Sequence, residues 1–312
     1  MSCDSDALQS VTVMSGQRGG LDALLQRPRP SLFQQFVREP CIFIAEKLYN
    51  WRLIIASEPI NPVAVVCISD THNHQPSETP AGEILVHAGD LTQSGTLGEL
   101  QASLNWINSC PHLYKIVIAG NHDLFLDHTL PHADPAANKT INWGDIIYLN
   151  SESTTIFCNN GRRLRIYGSP LTPRHGNWAF QYSRNQDVWH TSIPEDVDIL
   201  VTHGPPKGHL DAGYLGCKHL LKEVWRTKPR LHIFGHVHDG YGMEWVQYDR
   251  LQKAYENTVM ASGGLWNLVR VLFEFVVAHV NPVKESRTLF VNAAMVGGLR
   301  DEQRRVPITV HV

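Results

Sequence analysis

Short apolar runs alternate with polar loops along this chain, and five of the runs end on a side chain that binds hard cations. VAVVCIS runs into Asp70, with His72 two residues on. ILVHAG runs into Asp90 and IVIAG into Asn121. ILVT runs into His203, and LHIFG into His236 and His238. Apolar runs this short, bounded by glycine and polar residues, read as buried strands. Between the second and third runs, TLGELQASLNWINS places Leu97, Leu100, Leu104 and Ile107 on one helical face. Strand, helix, strand is a crossover unit, so the strands run parallel. After Asn121 a loop-like stretch leads to IIYLN, TTIFC and LRIYGSP, three strands split by Asn and Gly turns, and an antiparallel middle region is expected. LTPRHGNWAFQYSRNQDVW reads as irregular, KHLLKEVWRT as a short amphipathic helix, and TLFVNAA as a last strand.

The flanks are simpler. Residues 1–30 are polar with Gly and Pro and read as a flexible N-terminal tail. Residues 31–312 read as a single α/β domain, with its motif core over 62–240. Phe33 to Arg52 is rich in aromatics and suits a helix laid against the domain. The stretch from Leu268 to Val280 is apolar but carries Arg270 and Glu274 and is too short to span a bilayer. It reads as a surface-packed helix with a possible interaction role.

Composition narrows the field. The 312 residues are 43% hydrophobic and 18% charged, enough for a substantial globular core. The net charge of −3 and the lack of a basic stripe argue against stable nucleic acid binding. Seventeen histidines make any single one weak as a site marker. The six cysteines are scattered, with no C-x-x-C pair, and read as reduced thiols. With no signal-peptide pattern and no transmembrane segment, the expected location is cytoplasmic.

In open sheets with crossover helices, ligands gather beyond the carboxyl ends of the strands. There Asp70, His72, Asp90, Asn121, His203, His236 and His238 would meet. Carboxylates, imidazoles and an amide, without cysteine, suit two divalent ions drawn from Mn, Fe, Zn or Mg, with Mn expected in vitro. Two dications about 3.5–4 Å apart need an anion between them, and Asp90 can supply it. Asp70, His72 and one of His236 and His238 would complete one ion, and Asn121, His203 and the other imidazole the second. Glycines 89, 120, 204 and 235 adjoin these residues. A water between two such ions loses a proton near neutral pH and can attack phosphorus. His122 is placed to protonate the leaving oxygen, with Asp123 to orient it. Asn73, His209 and Arg174 are candidate substrate contacts, the last in a segment with Trp178 and Phe180 that can rim the site. His87, His219 and His232 read as structural.

The motifs SDTH, HAGDL, AGNHD, VTHGP and FGHVH, in this order from residue 69 to 238, resemble those of the calcineurin-like metallophosphoesterases. The surrounding THGPPKGHLD, GSPLTP, NWAF and FVNAA look closest to the small metallophosphoesterase-domain-containing branch. The resemblance implies a four-layer α/β/β/α sandwich of two mixed sheets. It also implies Asp70, His72, Asp90 and His238 on the first ion, and Asp90, Asn121, His203 and His236 on the second. His122 would act as acid or transition-state residue. The expected activity is hydrolysis of a phosphodiester or phosphomonoester bond in a small molecule or nucleotide. The alternative keeps the same dimetal site for a non-phosphate hydrolysis or rearrangement of a small metabolite. The oligomeric state is left open.

Overall fold

A computed structural model describes residues 31–52, 54, 59–130, 140–213, 215–281, 286–298 and 301–312. The expected tail, residues 1–30, lies outside them. Two large sheets organise the chain. The first has the order β15-β1-β2-β3-β4, from β1 (Ala64–Ile68), β2 (Ile84–Ala88), β3 (Tyr114–Ile118), β4 (Ile146–Tyr148) and β15 (Ile308–His311). Strands β1 to β4 are parallel, and β15 closes one edge antiparallel. The second has the order β11-β12-β10-β9-β6-β5, from β5 (Glu152–Phe157), β6 (Arg163–Ser169), β9 (Ile199–Thr202), β10 (Leu231–Phe234), β11 (Gly242–Gln247) and β12 (Arg287–Asn292). Its four inner strands are parallel, with β11 and β5 antiparallel at the edges. Two short pairs complete the set, β7 (Thr172–Pro173) with β8 (Gln181–Tyr182) and β13 (Val296–Gly297) with β14 (Gln303–Arg304).

The side-chain alternation of β1 shows why the layers form. Val65 and Cys67 point between the sheets, packing with Ile84, Ile116, Ile166, Val201 and Ile233. Val66 and Ile68 point the other way, under Leu100, Leu104 and Ile107 of the helix Leu97–Ser109. A strand buried on both faces has no polar side to show, hence its continuous apolar run. That crossover helix starts at a capping box in which Thr96 and Glu99 satisfy each other's backbone amides. On the far face of the second sheet, Leu220 and Val224 of the helix Lys218–Thr227 cover Leu200, Phe234 and Phe290. The result is a four-layer sandwich. In chain order the helices are α1 (Leu32–Arg38), α2 (Pro40–Asn50), α3 (Leu97–Ser109), α4 (Lys218–Thr227), α5 (Arg250–Met260) and α6 (Leu265–Val280). Helices α2, α5 and α6 share a further small core around Ile42, Tyr49, Leu251, Tyr255 and Val271.

Some local expectations change. The middle region is antiparallel only at β5 and β6, since β4 joins β3 in parallel and β6 joins β9 in parallel. Phe33 to Arg52 holds two helices, α1 and α2, because Pro40 starts a new helix at its first position. The edge strands β11 and β15 and the helix α5 are additional elements.

Candidate metal centre

Every motif residue lies where a parallel strand ends. Asp70 and His72 follow β1, Asp90 follows β2, and Asn121 and His122 follow β3. His203 follows β9, and His236 and His238 follow β10. Residues from both sheets therefore meet over one edge of the sandwich. The backbone turns sharply to achieve this: Asp70, His72, Asp90 and His236 all have left-handed φ, at 49°, 43°, 55° and 64°. Such conformations cost on the order of 1 kcal/mol or more each and persist only where the surroundings hold them. Here the holding bonds run from Asp70 N to Gly89 O, His72 N to Asp90 O, and His236 N to the Asp70 carboxylate.

The donor atoms fall into overlapping groups. Asp70, His72 and His238 converge within 4.8 Å of one another, and so do Asp90, His203 and His236. His72 and Asp90 form a third group with His122. Asp90 Oδ2 is 3.7 Å from His72 Nε2 and 3.3 Å from His203 Nε2, so one carboxylate stands between the two main groups. Asn121 Oδ1 lies 3.0 Å from His203 Nε2, beside the second group. His203 Nδ1 donates to Ala88 O at 2.9 Å, which aims Nε2 at the site. His238 Nε2 is 3.3 Å from Asp70 Oδ1, while its Nδ1 faces Asp301 Oδ1 at 3.4 Å.

This set fits two divalent cations. His72 is buried, yet neither ring nitrogen has a hydrogen-bond partner. A buried imidazole with both nitrogens unpaired beside carboxylates is expensive unless an ion completes it. Electrostatics agree. Burial opposes ionisation of Asp70, but His238 and His203 outweigh it and hold the carboxyl at about 2. Burial likewise opposes charging of His203 and His238, but the facing carboxylates raise them to about 9 and 10. His236 falls to about 3, first through burial and then through the neighbouring His203. The carboxylate pair thus draws positive charge inward, while His72 and His236 favour the neutral, ligating form. Space is equally tight. A Cβ on Gly235 would lie 2.0 Å from Asp70 Oδ2, so only glycine lets this backbone pass the carboxylate.

His122 sits at the edge of the groups. Its Nδ1 is 2.9 Å from Gln93 O, and since a carbonyl only accepts, Nδ1 carries the proton and Nε2 is the exchanging atom. Its backbone N–H donates to Asp90 Oδ1 at 2.7 Å. Its ring meets His72 edge-on at 4.6 Å and stacks on Trp178 at 4.1 Å, so the NWAF segment does reach the site.

Two expected roles are corrected. Asp123 does not orient the His122 ring. It is buried and accepts from the amides of Gly120, Leu91 and Thr92 and from the Thr92 hydroxyl, tying the loops after β2 and β3 together. His209 is not a substrate contact. It is fully buried between Glu244 and Glu256, 3.0 and 3.3 Å away, under α5. Of the other two candidates, Asn73 is exposed and donates to Glu99 at the start of α3, and Arg174 is exposed on the loop after β7. As expected, His87 is a buried residue paired with Thr71, and His232 pairs with Thr202. Asp301 and Arg305 had no sequence signal, yet one faces the His238 ring and the other donates to the His238 carbonyl.

The five strand ends lie within residues 63–240, which match the calcineurin-like phosphoesterase family. The chain belongs to the calcineurin-like phosphoesterases. These are metal-dependent hydrolases. It is 44% identical over 94% of its length to a protein of Emericella nidulans named probable rhamnogalacturonate lyase C, of which it covers 29%. It is 40% identical over 60% of its length to human metallophosphoesterase domain-containing protein 1, covering 64% of that protein. It is also 38% identical over 57% of its length to the Caenorhabditis elegans UPF0046 protein K07C11.7, again covering 64%. The chain thus spans less than two thirds of the length of each.

Proposed function

We propose that this calcineurin-like phosphoesterase binds two divalent cations and hydrolyses phosphodiester bonds of small molecules or nucleotides. Asp70, His72, Asp90 and His238 would hold one ion, and Asp90, Asn121, His203 and His236 the other. The observation that carries this reading is the position of the Asp90 carboxylate between the two donor groups. Ions so held would supply Lewis acidity and an activated water for phosphoester hydrolysis. The chain's own residues do the rest. His122, with Nδ1 fixed on Gln93 O, presents Nε2 to a phosphoryl or leaving-group oxygen and in its protonated form gives up a proton there. Trp178 stacks on that ring at 4.1 Å and helps hold its orientation. Asp123 keeps the Asp90 and His122 loops in register through its four hydrogen bonds.

The diester preference rests on the resemblance of the motif surroundings to the small metallophosphoesterase-domain-containing branch. Five unpaired cysteines among the described residues support a reducing, cytoplasmic setting. No helix among the described residues is long and apolar enough to cross a membrane. Low net charge supports a small substrate over a nucleic acid.

The test is metal analysis joined to a substrate panel. Protein reconstituted with Mn should hold two equivalents, and Asp90→Ala should lose both together with turnover. Asn121→Ala should lower occupancy of the second ion more than the first. Bis(p-nitrophenyl) phosphate should be cleaved faster than p-nitrophenyl phosphate. A rhamnogalacturonate arm tests the activity printed in the name of the Emericella relative. One equivalent or none in folded protein would overturn the binuclear reading, and full loading with no phosphoester turnover would favour non-phosphate chemistry on the same ions.

A further inference from the structure

Helix α6 has two apolar faces, and its own domain uses only one. Val271 and Leu268 are buried against α2 and α5, with Phe275 and Ala278 beside them. The opposite side exposes Leu265, Trp266, Val269, Leu272, Phe273, Val276, Val277 and Val280, each between 36% and 87% accessible. A helix that is apolar all round is a buried helix. Gly263 and Gly264, at φ 101° and 105°, turn the chain so that α6 lies against α5 with this face outward.

The exposed residues are not scattered. Trp266, Val269, Phe273, Val276 and Val280 follow the alternating three- and four-residue spacing of a coiled-coil seam. That periodicity fits another helix better than a flat surface. Two aromatics, each able to bury roughly 150–250 Å², and six aliphatics, about three fifths exposed on average over the eight, present on the order of 800 Å². This is the area each partner contributes to a standard stable interface. Charge separates the occupants further. A helix that lies on a lipid surface carries a rim of Lys and Arg, whereas α6 carries Arg270 and His279 alone.

We propose that the outer face of α6 is a dimer interface, in which the seam packs on the same seam of a second copy about a two-fold axis. Such an isologous contact buries both seams at once and closes, so assembly stops at two chains. It lies on the helical layer formed with α2 and α5.

Sedimentation equilibrium of the metal-loaded chain across micromolar concentrations tests this. The expected mass is twice the 35.1 kDa of one chain. Phe273→Glu places an unpaired carboxylate in the seam of both copies. It should weaken dimerisation about 10³-fold or more, while the circular dichroism spectrum and metal content stay unchanged. Val276→Lys serves if that variant misfolds, and Phe157→Glu, an exposed site on β5, should leave the dimer intact. A wild-type mass of one chain at all concentrations overturns the proposal. So does a dimer that survives both seam variants, and so does preferential sedimentation with phosphatidylcholine–phosphatidylserine vesicles.

Discussion

Substituting Gly235→Ala adds one methyl group and no charge, yet it should disable the metal centre. The new Cβ would stand 2.0 Å from Asp70 Oδ2 and 2.2 Å from Ser69 Oγ. Ordinary van der Waals contact begins near 3.4 Å, so the carboxylate must retreat by roughly 1.4 Å. The loop cannot absorb this, because Asp70 is already at φ 49° and its carboxylate accepts from His236 N at 3.0 Å. A misplacement of about 1 Å at reacting groups costs about 10² in rate. Loss of ligand alignment should weaken the ion on Asp70, His72 and His238 by about 10–100-fold, with the overpacking itself costing about 1–3 kcal/mol of stability. Isothermal titration with Mn and turnover of an aryl phosphodiester measure both. The reasoning fails if the variant loads two ions with unchanged affinity and retains turnover within a factor of three.

His122→Ala should cut turnover by about 10²–10⁴-fold while metal content stays at two, because the bond to Asp90 comes from the His122 backbone; loss of an ion on elemental analysis would recast His122 as a ligand. Asp301→Ala frees the His238 ring from its partner, and competition with a chelator should show the first ion held about 10–100-fold less tightly. His209→Ala takes the cation away from buried Glu256 and half-buried Glu244 and should cost about 3–5 kcal/mol at pH 6 by urea denaturation. Despite its burial, Glu244 and Glu256 raise the wild-type imidazole to about 10. Its stabilisation is therefore complete below the ordinary value of 6.5 and lost as pH rises through about 10, so the gap between wild type and variant should narrow there; a gap independent of pH would count against the ion pair.

The strand-end cluster was legible because two local signals coincide at each of its residues: an apolar run that must be buried and a polar residue at its end. Burial fixes the strand, and the parallel crossover fixes which end carries the site. The misread residues depend on contacts between distant positions. His209 follows the His203 motif by six residues and reads as part of it. The left-handed turns at Gly208 and Leu210 fold it inward, to acids 35 and 47 residues further on. Asp123 is adjacent to His122, but the tight turn at Asp123 directs its carboxylate to the amides at the end of β2 rather than to the ring. Asp301 reaches His238 from 63 residues away, with no periodic pattern to announce it. Edge strands such as β15 are short and half-exposed, so they lack the apolar run that marks the inner strands.

The donor groups draw on both sheets: Asp70, His72, Asp90 and Asn121 on one side, His203, His236 and His238 on the other. A cation seated among them would clasp the two halves of the sandwich, with no counterpart in the unravelled chain. By mass action, each such site filled at a hundredfold excess over its dissociation constant adds about 2.7 kcal/mol to the free energy of opening. On the proposed reading, the edge that would perform the chemistry would also be a join whose strength varies with the supply of free metal, so starvation for the ion would loosen the protein as well as silence it.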